Sequence, residues 1–149
     1  MSIDGAVQIW DITSGECLQM LRAQIDGVTL ANCRWLALSH DVAHLALASL
    51  DGTIKIWDAN SAKVLHVLHA LNTLENIDDD DWISSIGFSH NSSWLVAASY
   101  HGTVSLWDVS SGRCLRTLGN HSEGVAVNPP SPDSSQVCHS IRRKHDQND

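Results

Sequence analysis

The sequence predicts an all-β chain of repeated four-stranded antiparallel units, on three observations. An eight-residue phrase recurs: Asp4-Gly5-Ala6-Val7-Gln8-Ile9-Trp10-Asp11, Asp51-Gly52-Thr53-Ile54-Lys55-Ile56-Trp57-Asp58 and His101-Gly102-Thr103-Val104-Ser105-Leu106-Trp107-Asp108. Each copy reads as a glycine turn feeding a short strand. β-Branched residues suit a pleated surface, and Asp-Gly supplies the positive dihedrals of a two-residue type I′ hairpin. Beyond each Trp-Asp the register continues without gaps, with Gly15, Ala62 and Gly112 in one column, Leu18, Leu65 and Leu115 in a second, and Leu21, Leu68 and Leu118 in a third. Such self-similarity outranks a reading of the 149 residues as one ordinary domain.

Taken in order, residues 2–22 hold only the second half of a unit: strand AVQIW, a turn at Thr13-Ser14-Gly15, and strand ECLQML. Residues 23–70 hold a complete unit, with strands around Cys33 to Leu38, HLALAS, TIKIW and KVLHVL. Residues 71–120 repeat it as WISSIGF, SWLVAAS, TVSLW and RCLRTL. Residues 121–128 start a further unit at Gly124-Val125-Ala126-Val127, and residues 129–149, with Pro129, Pro130, Pro132 and many polar residues, read as a disordered tail. The expected object is an open arc of about two and a half units, a piece of a longer protein cut within a unit.

Charge narrows the partners. Lys+Arg number 9 against Asp+Glu 17, so the attraction to phosphate that drives nucleic-acid binding is missing, and an anionic membrane surface would repel the chain. No apolar run reaches the length of a membrane span and no signal peptide opens the sequence, so an intracellular, cytoplasmic protein is expected. Cys17 and Cys114 share a column in units that are not neighbours, too far apart for a disulfide, and are expected as buried thiols. No Cys-x-x-Cys pair occurs.

With three Trp-Asp dipeptides, each behind an apolar strand and a glycine turn, and a Gly112-Arg113-Cys114-Leu115-Arg116-Thr117-Leu118 run, the chain resembles the WD-repeat (WD40) family of β-propellers over about residues 2–127. The Trp-to-Trp spacings of 47 and 50 residues exceed the roughly 40–45 of one blade, and the excess falls in two connecting loops. The resemblance implies an all-β partial propeller. It implies structural roles for Trp10, Asp11, Trp57, Asp58, Trp107, Asp108, Gly5, Gly52 and Gly102, and a hydrogen-bonded set in which a turn Asp, a loop His and a strand Ser lock each Trp. Asp4, Asp51, Ser49, Ser99 and His121 match that pattern. His101 replaces the third Asp, while Leu47 and Ala97 stand where a further Ser is common, so no complete set is expected and apolar stacking must hold the blades. The Ser-Gly-x-Cys-Leu phrasing at Ser14 to Leu18 and Ser111 to Leu115 is similar to the repeats of NACHT-type ATPases and fungal incompatibility proteins.

The resemblance implies a non-catalytic scaffold for protein partners, with no cofactor and no metal. The long loops carry specificity in this reading, through Asp26, Asn72, Glu75, Asp78, Asp79, Asp80, Asp81 and Trp82. The acidic run lacks the alternation and glycine bend of a calcium loop and reads as a solvated loop. No Gly-x-Ser-x-Gly or phosphate-binding glycine loop occurs. Trp35, Trp82 and Trp94 read as wedges between neighbouring blades, or, if exposed, as binding hot spots. The exposed end faces of an open arc also invite self-association, so the alternatives are a subunit that completes a propeller with other chains and a propeller-type hydrolase or metal enzyme.

Overall fold

The computed structural model describes residues 6–22, 33–70, 82–120, 125–127 and 139–141. Two strands form the first sheet: β1 (Ala6–Trp10) and β2 (Cys17–Arg22). A four-stranded meander follows, in the order β3 (Cys33–Leu38), β4 (His44–Ser49), β5 (Thr53–Asp58) and β6 (Val64–His69). A second meander repeats it with β7 (Ile83–Phe88), β8 (Trp94–Ser99), β9 (Thr103–Asp108) and β10 (Cys114–Asn120). A last pair joins β11 (Val125–Val127) to β12 (His139–Ile141), so the described part of the C-terminal segment is a strand. All pairings are antiparallel.

Alternation of side chains decides how the sheets stack. In β5, Ile54 and Ile56 point to one face and Trp57 to the other, and all three are buried. The Trp57 face, with Leu45, Leu47 and Ala59, packs on Val7, Ile9 and Leu21 of the first sheet. The opposite face, with Ala46, Ala48, Ile54, Ile56 and Leu68, packs on Ile83, Phe88, Leu95, Ala97 and Val109 of the next meander, where Trp107 also lies. Being covered on both faces, β4 and β8 carry nearly unbroken apolar runs rather than an alternation. The far face of the second meander holds Val96, Ala98 and Val104. There β11 lies against β7 and β8, as β7 lies against β3 and β4 one sheet earlier. Each sheet thus presents a Trp-bearing face to its predecessor and an aliphatic face to its successor.

Two turns depart from expectation. At Asp51-Gly52 and His101-Gly102 only the glycine has positive φ, 80° and 92°, and the Gly52 and Gly102 N–H groups donate to Ser49 O and Ser99 O. The connection is therefore a three-residue loop with a left-handed glycine, not a type I′ hairpin. Residue 101 needs no left-handed backbone, which explains why His serves where the other copies have Asp. Cys17 and Cys114 are exposed free thiols, because the outermost strands have one solvated side. Trp35 and Trp82 are likewise exposed rather than wedged.

The β3–β4 and β7–β8 turns place Val42 and Ser92 at φ 60°. Ser92 is rewarded, since its Oγ accepts from Asp41 N across the two meanders. Val42 is exposed and β-branched, so it bears the left-handed penalty of about 1–2 kcal/mol in a turn that its N–H closes by donating to Ser39 O. Val42→Gly is expected to stabilise the chain by about 0.5–1 kcal/mol after the entropy cost of glycine, read as a raised urea midpoint at unchanged slope.

Candidate interaction face

The Asp of each Trp-Asp pair caps the turn that follows it. Asp11 Oδ1 accepts from the Thr13 and Ser14 N–H groups at 2.7 and 2.9 Å, and Asp58 Oδ1 from Asn60 and Ser61 at 2.9 and 2.7 Å. Asp108 Oδ2 accepts from Ser111 N at 2.9 Å and from the hydroxyls of Ser110 and Ser111. The turn closes with the third column residue left-handed, at Gly15 (72°), Ala62 (56°) and Gly112 (68°). The carboxylates are all held below the ordinary value of 3.8, chiefly by the Ser14 N–H at Asp11, the Ser61 N–H at Asp58 and the Ser111 hydroxyl at Asp108.

The tryptophans differ by context. Trp57 is 4% exposed, and its Nε1 has no partner among the described residues. Trp107 Nε1 donates to Ser105 Oγ at 3.0 Å, while Lys55 stands in the equivalent column of the preceding sheet. Trp10 is 53% exposed. Of the remaining residues singled out from the sequence, the Asp51 carboxylate accepts from Thr53 N and Oγ1, the Ser49 hydroxyl meets Cys33 Sγ at 3.5 Å, and Ser99 Oγ accepts from Thr103 N. These contacts stay within one sheet, and none of them reaches a tryptophan. Asp4, Gly5, Asp26, Asn72, Glu75, Asp78, Asp79, Asp80, Asp81 and His121 lie outside the described residues.

Opposite the capped turns, at the other end of the second meander, three rings gather. Trp82 and Tyr100 stack with centroids 4.3 Å apart and planes 20° off parallel, and His101 meets Tyr100 edge-on at 5.5 Å. The Tyr100 N–H donates to Trp82 O at 2.9 Å, which fixes the two backbones in register. Trp82 is 37% exposed. A pre-stacked indole with one open side offers large apolar area without ordering cost. The sequence marks Trp82, but nothing in it pairs Trp82 with Tyr100, because that contact joins the start of β7 to the β8–β9 turn. Among the described residues no group of three or more His, Cys, Asp or Glu side chains could hold a metal ion, and no helix is long and apolar enough to cross a membrane.

Cross-sheet ties recur in one column of the outer strands. Gln19 Nε2 donates to Asn60 O at 2.9 Å, and His66 Nε2 lies 3.1 Å from Ser110 O. A carbonyl only accepts, so His66 Nε2 carries the proton. His66 also packs so closely on Gly112 that a Cβ there would sit 2.7 Å from its ring. At the same end His40 and His90, equivalent turn residues, hold their rings 4.7 Å apart.

Stacked antiparallel meanders carrying Trp-Asp turns define a repeat protein of the β-propeller class. The model of the WD40 family (WD domain, G-beta repeat) matches residues 15–58 and 70–108, more than half of the sequence, and the chain belongs to that family. The first matched segment runs from the turn before β2 through β5 and so straddles two sheets. A solved structure of U3-55K is similar with 24% identity and a TM-score of 0.66, over 85% of this chain and 37% of that one. The RRP9 WD40 repeats give 23% identity and 0.66, over 85% and 36%. The chain therefore spans little more than a third of the length of either. No curated protein matches the sequence.

Because the folded-state pKa values of the capping carboxylates are lowered, their contribution to stability is present at neutral pH and is lost as pH falls below about 3.8 through those lowered values. Asp108→Ala should lower the thermal midpoint at pH 7 and weaken its acid dependence. Asp108→Asn, which keeps an acceptor oxygen, should recover much of the midpoint without restoring that dependence.

Proposed function

We propose that the chain is a non-catalytic platform for protein partners, binding through the face that carries Trp82, Tyr100 and His101. The observation that carries this reading is the stacked, partly exposed Trp82–Tyr100 pair, since tryptophan and tyrosine dominate binding hot spots. Its place beside the 71–81 connection, among the loops of the sequence most in excess of the repeat length, supports the same face. Family membership supports the class of function, because WD-repeat proteins generally act as interaction scaffolds.

On this reading the repeat units divide as 2–22, 23–70, 71–120 and 121–128, within a larger signalling or regulatory protein. The Ser-Gly-x-Cys-Leu phrasing supports ligand-sensing repeats of a NACHT-like ATPase as the parent. The free thiols of Cys17, Cys33 and Cys114 support an intracellular site of action.

Proteins captured from lysate by the immobilised chain, compared with those captured by Trp82→Ala, test the reading. The variant should keep its far-UV circular dichroism and lose at least about tenfold in affinity for any specifically bound protein, as expected for a hot spot worth about 1.4 kcal/mol or more. Unchanged capture by Trp82→Ala would reject this face.

A further inference from the structure

We infer that His40 and His90 form a two-imidazole chelate for a divalent late transition-metal ion, nickel(II) or copper(II), across the junction of the two complete meanders. The residues hold the same place in equivalent turns, His40 between β3 and β4 and His90 between β7 and β8. Their ring centroids lie 4.7 Å apart, with the planes tilted by 57°. Both side chains are exposed, and among the described residues neither ring makes a hydrogen bond. A neutral imidazole has one nitrogen lone pair to offer a metal, so the pair offers two.

The turns beneath the rings are built alike. Ser39 N donates to His44 O and Val42 N to Ser39 O, while Ser89 N donates to Trp94 O and Ser92 N to Ser89 O, all at 2.9 Å. The buried Ser39 and Ser89 hydroxyls accept from His44 N at 2.8 Å and from Trp94 N at 3.0 Å. One further bond ties the first turn to the second, from Asp41 N to Ser92 Oγ at 3.2 Å. The backbones that carry the two imidazoles are therefore set before an ion arrives, and only side-chain torsions remain to be ordered.

Charge and ligand type favour such an ion. Asp41, next to His40 in the chain, is a carboxylate held below its ordinary value, chiefly by the Ser39 hydroxyl. It brings a negative charge to the same turn at neutral pH. Imidazole suits nickel, copper and zinc, whereas calcium and magnesium take oxygen ligands. Among the described residues no third His, Cys, Asp or Glu side chain joins the pair, so water fills the other positions on the ion.

The ring separation selects among those metals. With metal–nitrogen bonds of about 2.0–2.1 Å, each ring centroid lies roughly 3.2 Å from a shared ion. A tetrahedral angle between the bonds would set the centroids about 5.2 Å apart, and a right angle about 4.5 Å. The observed 4.7 Å is closer to the right angle. Tetragonal nickel(II) or copper(II) fits that angle better than zinc, which is usually tetrahedral.

Titration calorimetry of the full chain with nickel(II) tests the chelate, since copper(II) would oxidise the free thiols. Nickel should bind more tightly than zinc, and His40→Ala and His90→Ala should each weaken it at least tenfold while keeping the β-sheet circular dichroism. His69→Ala, at an exposed histidine of β6, should leave the affinity unchanged. Nickel should also raise the urea midpoint of the wild-type chain, because the ion binds only where both turns are folded together. Wild-type affinity in either alanine variant, loss of binding in His69→Ala, or an unmoved wild-type midpoint would show adventitious binding only and overturn the proposal. Tighter binding of zinc than of nickel would overturn the right-angle site.

Discussion

A sheet with two apolar faces cannot stand alone in water, and the whole chain follows from how each sheet hides both. Trp57 with Leu45 and Leu47 goes under the aliphatic face of the sheet before, and Ile54, Ile56 and Leu68 go against the sheet after. Burying side chains of this size is worth about 1.5–3 kcal/mol each. Nearest-neighbour terms therefore dominate, as in other stacked repeats. Small residues at Ala46, Ala48 and Ala97 let the meanders approach, and all three are essentially solvent-free.

Polar groups adjust this stack rather than create it. The Trp-Asp carboxylate shapes its own turn, and the turn offers a carbonyl that the preceding sheet's outer strand can hold through Gln19 or His66. Trp57 shows the order of importance, since it is buried although its indole N–H has no partner among the described residues. Leaving such a donor unmade costs about 1–3 kcal/mol, less than the apolar burial of the ring and its neighbours returns. Ser105 removes that cost for Trp107 one sheet later.

Much of this was legible in the sequence. Three copies of one phrase fix the unit, the strand order and the column of each leucine, because sheet alternation has period two and turn glycines mark the ends. The turn type was not legible. Asp-Gly suits both a type I′ hairpin and a three-residue loop, and only the backbone shows that Asp51 and His101 stay out of the left-handed region. Exposure of Cys17 and Cys114 was also missed, since column identity says nothing about which side of an outermost strand is covered. The Trp82–Tyr100 stack joins residues eighteen positions apart across a register that includes a bulge between Ile83 and Ser85. The cross-sheet ties likewise become visible only once Gln19 and His66 are seen to reach the next sheet.

Native-state hydrogen exchange across a denaturant series measures the stacking most directly. If the shared core of the two meanders is what holds the chain, amides of β4, β5, β8 and β9 will share one opening free energy and one denaturant slope, since neither meander can keep its faces dry without the other. Two separate opening free energies, one for each meander, would contradict the account and show that each sheet stands on its own.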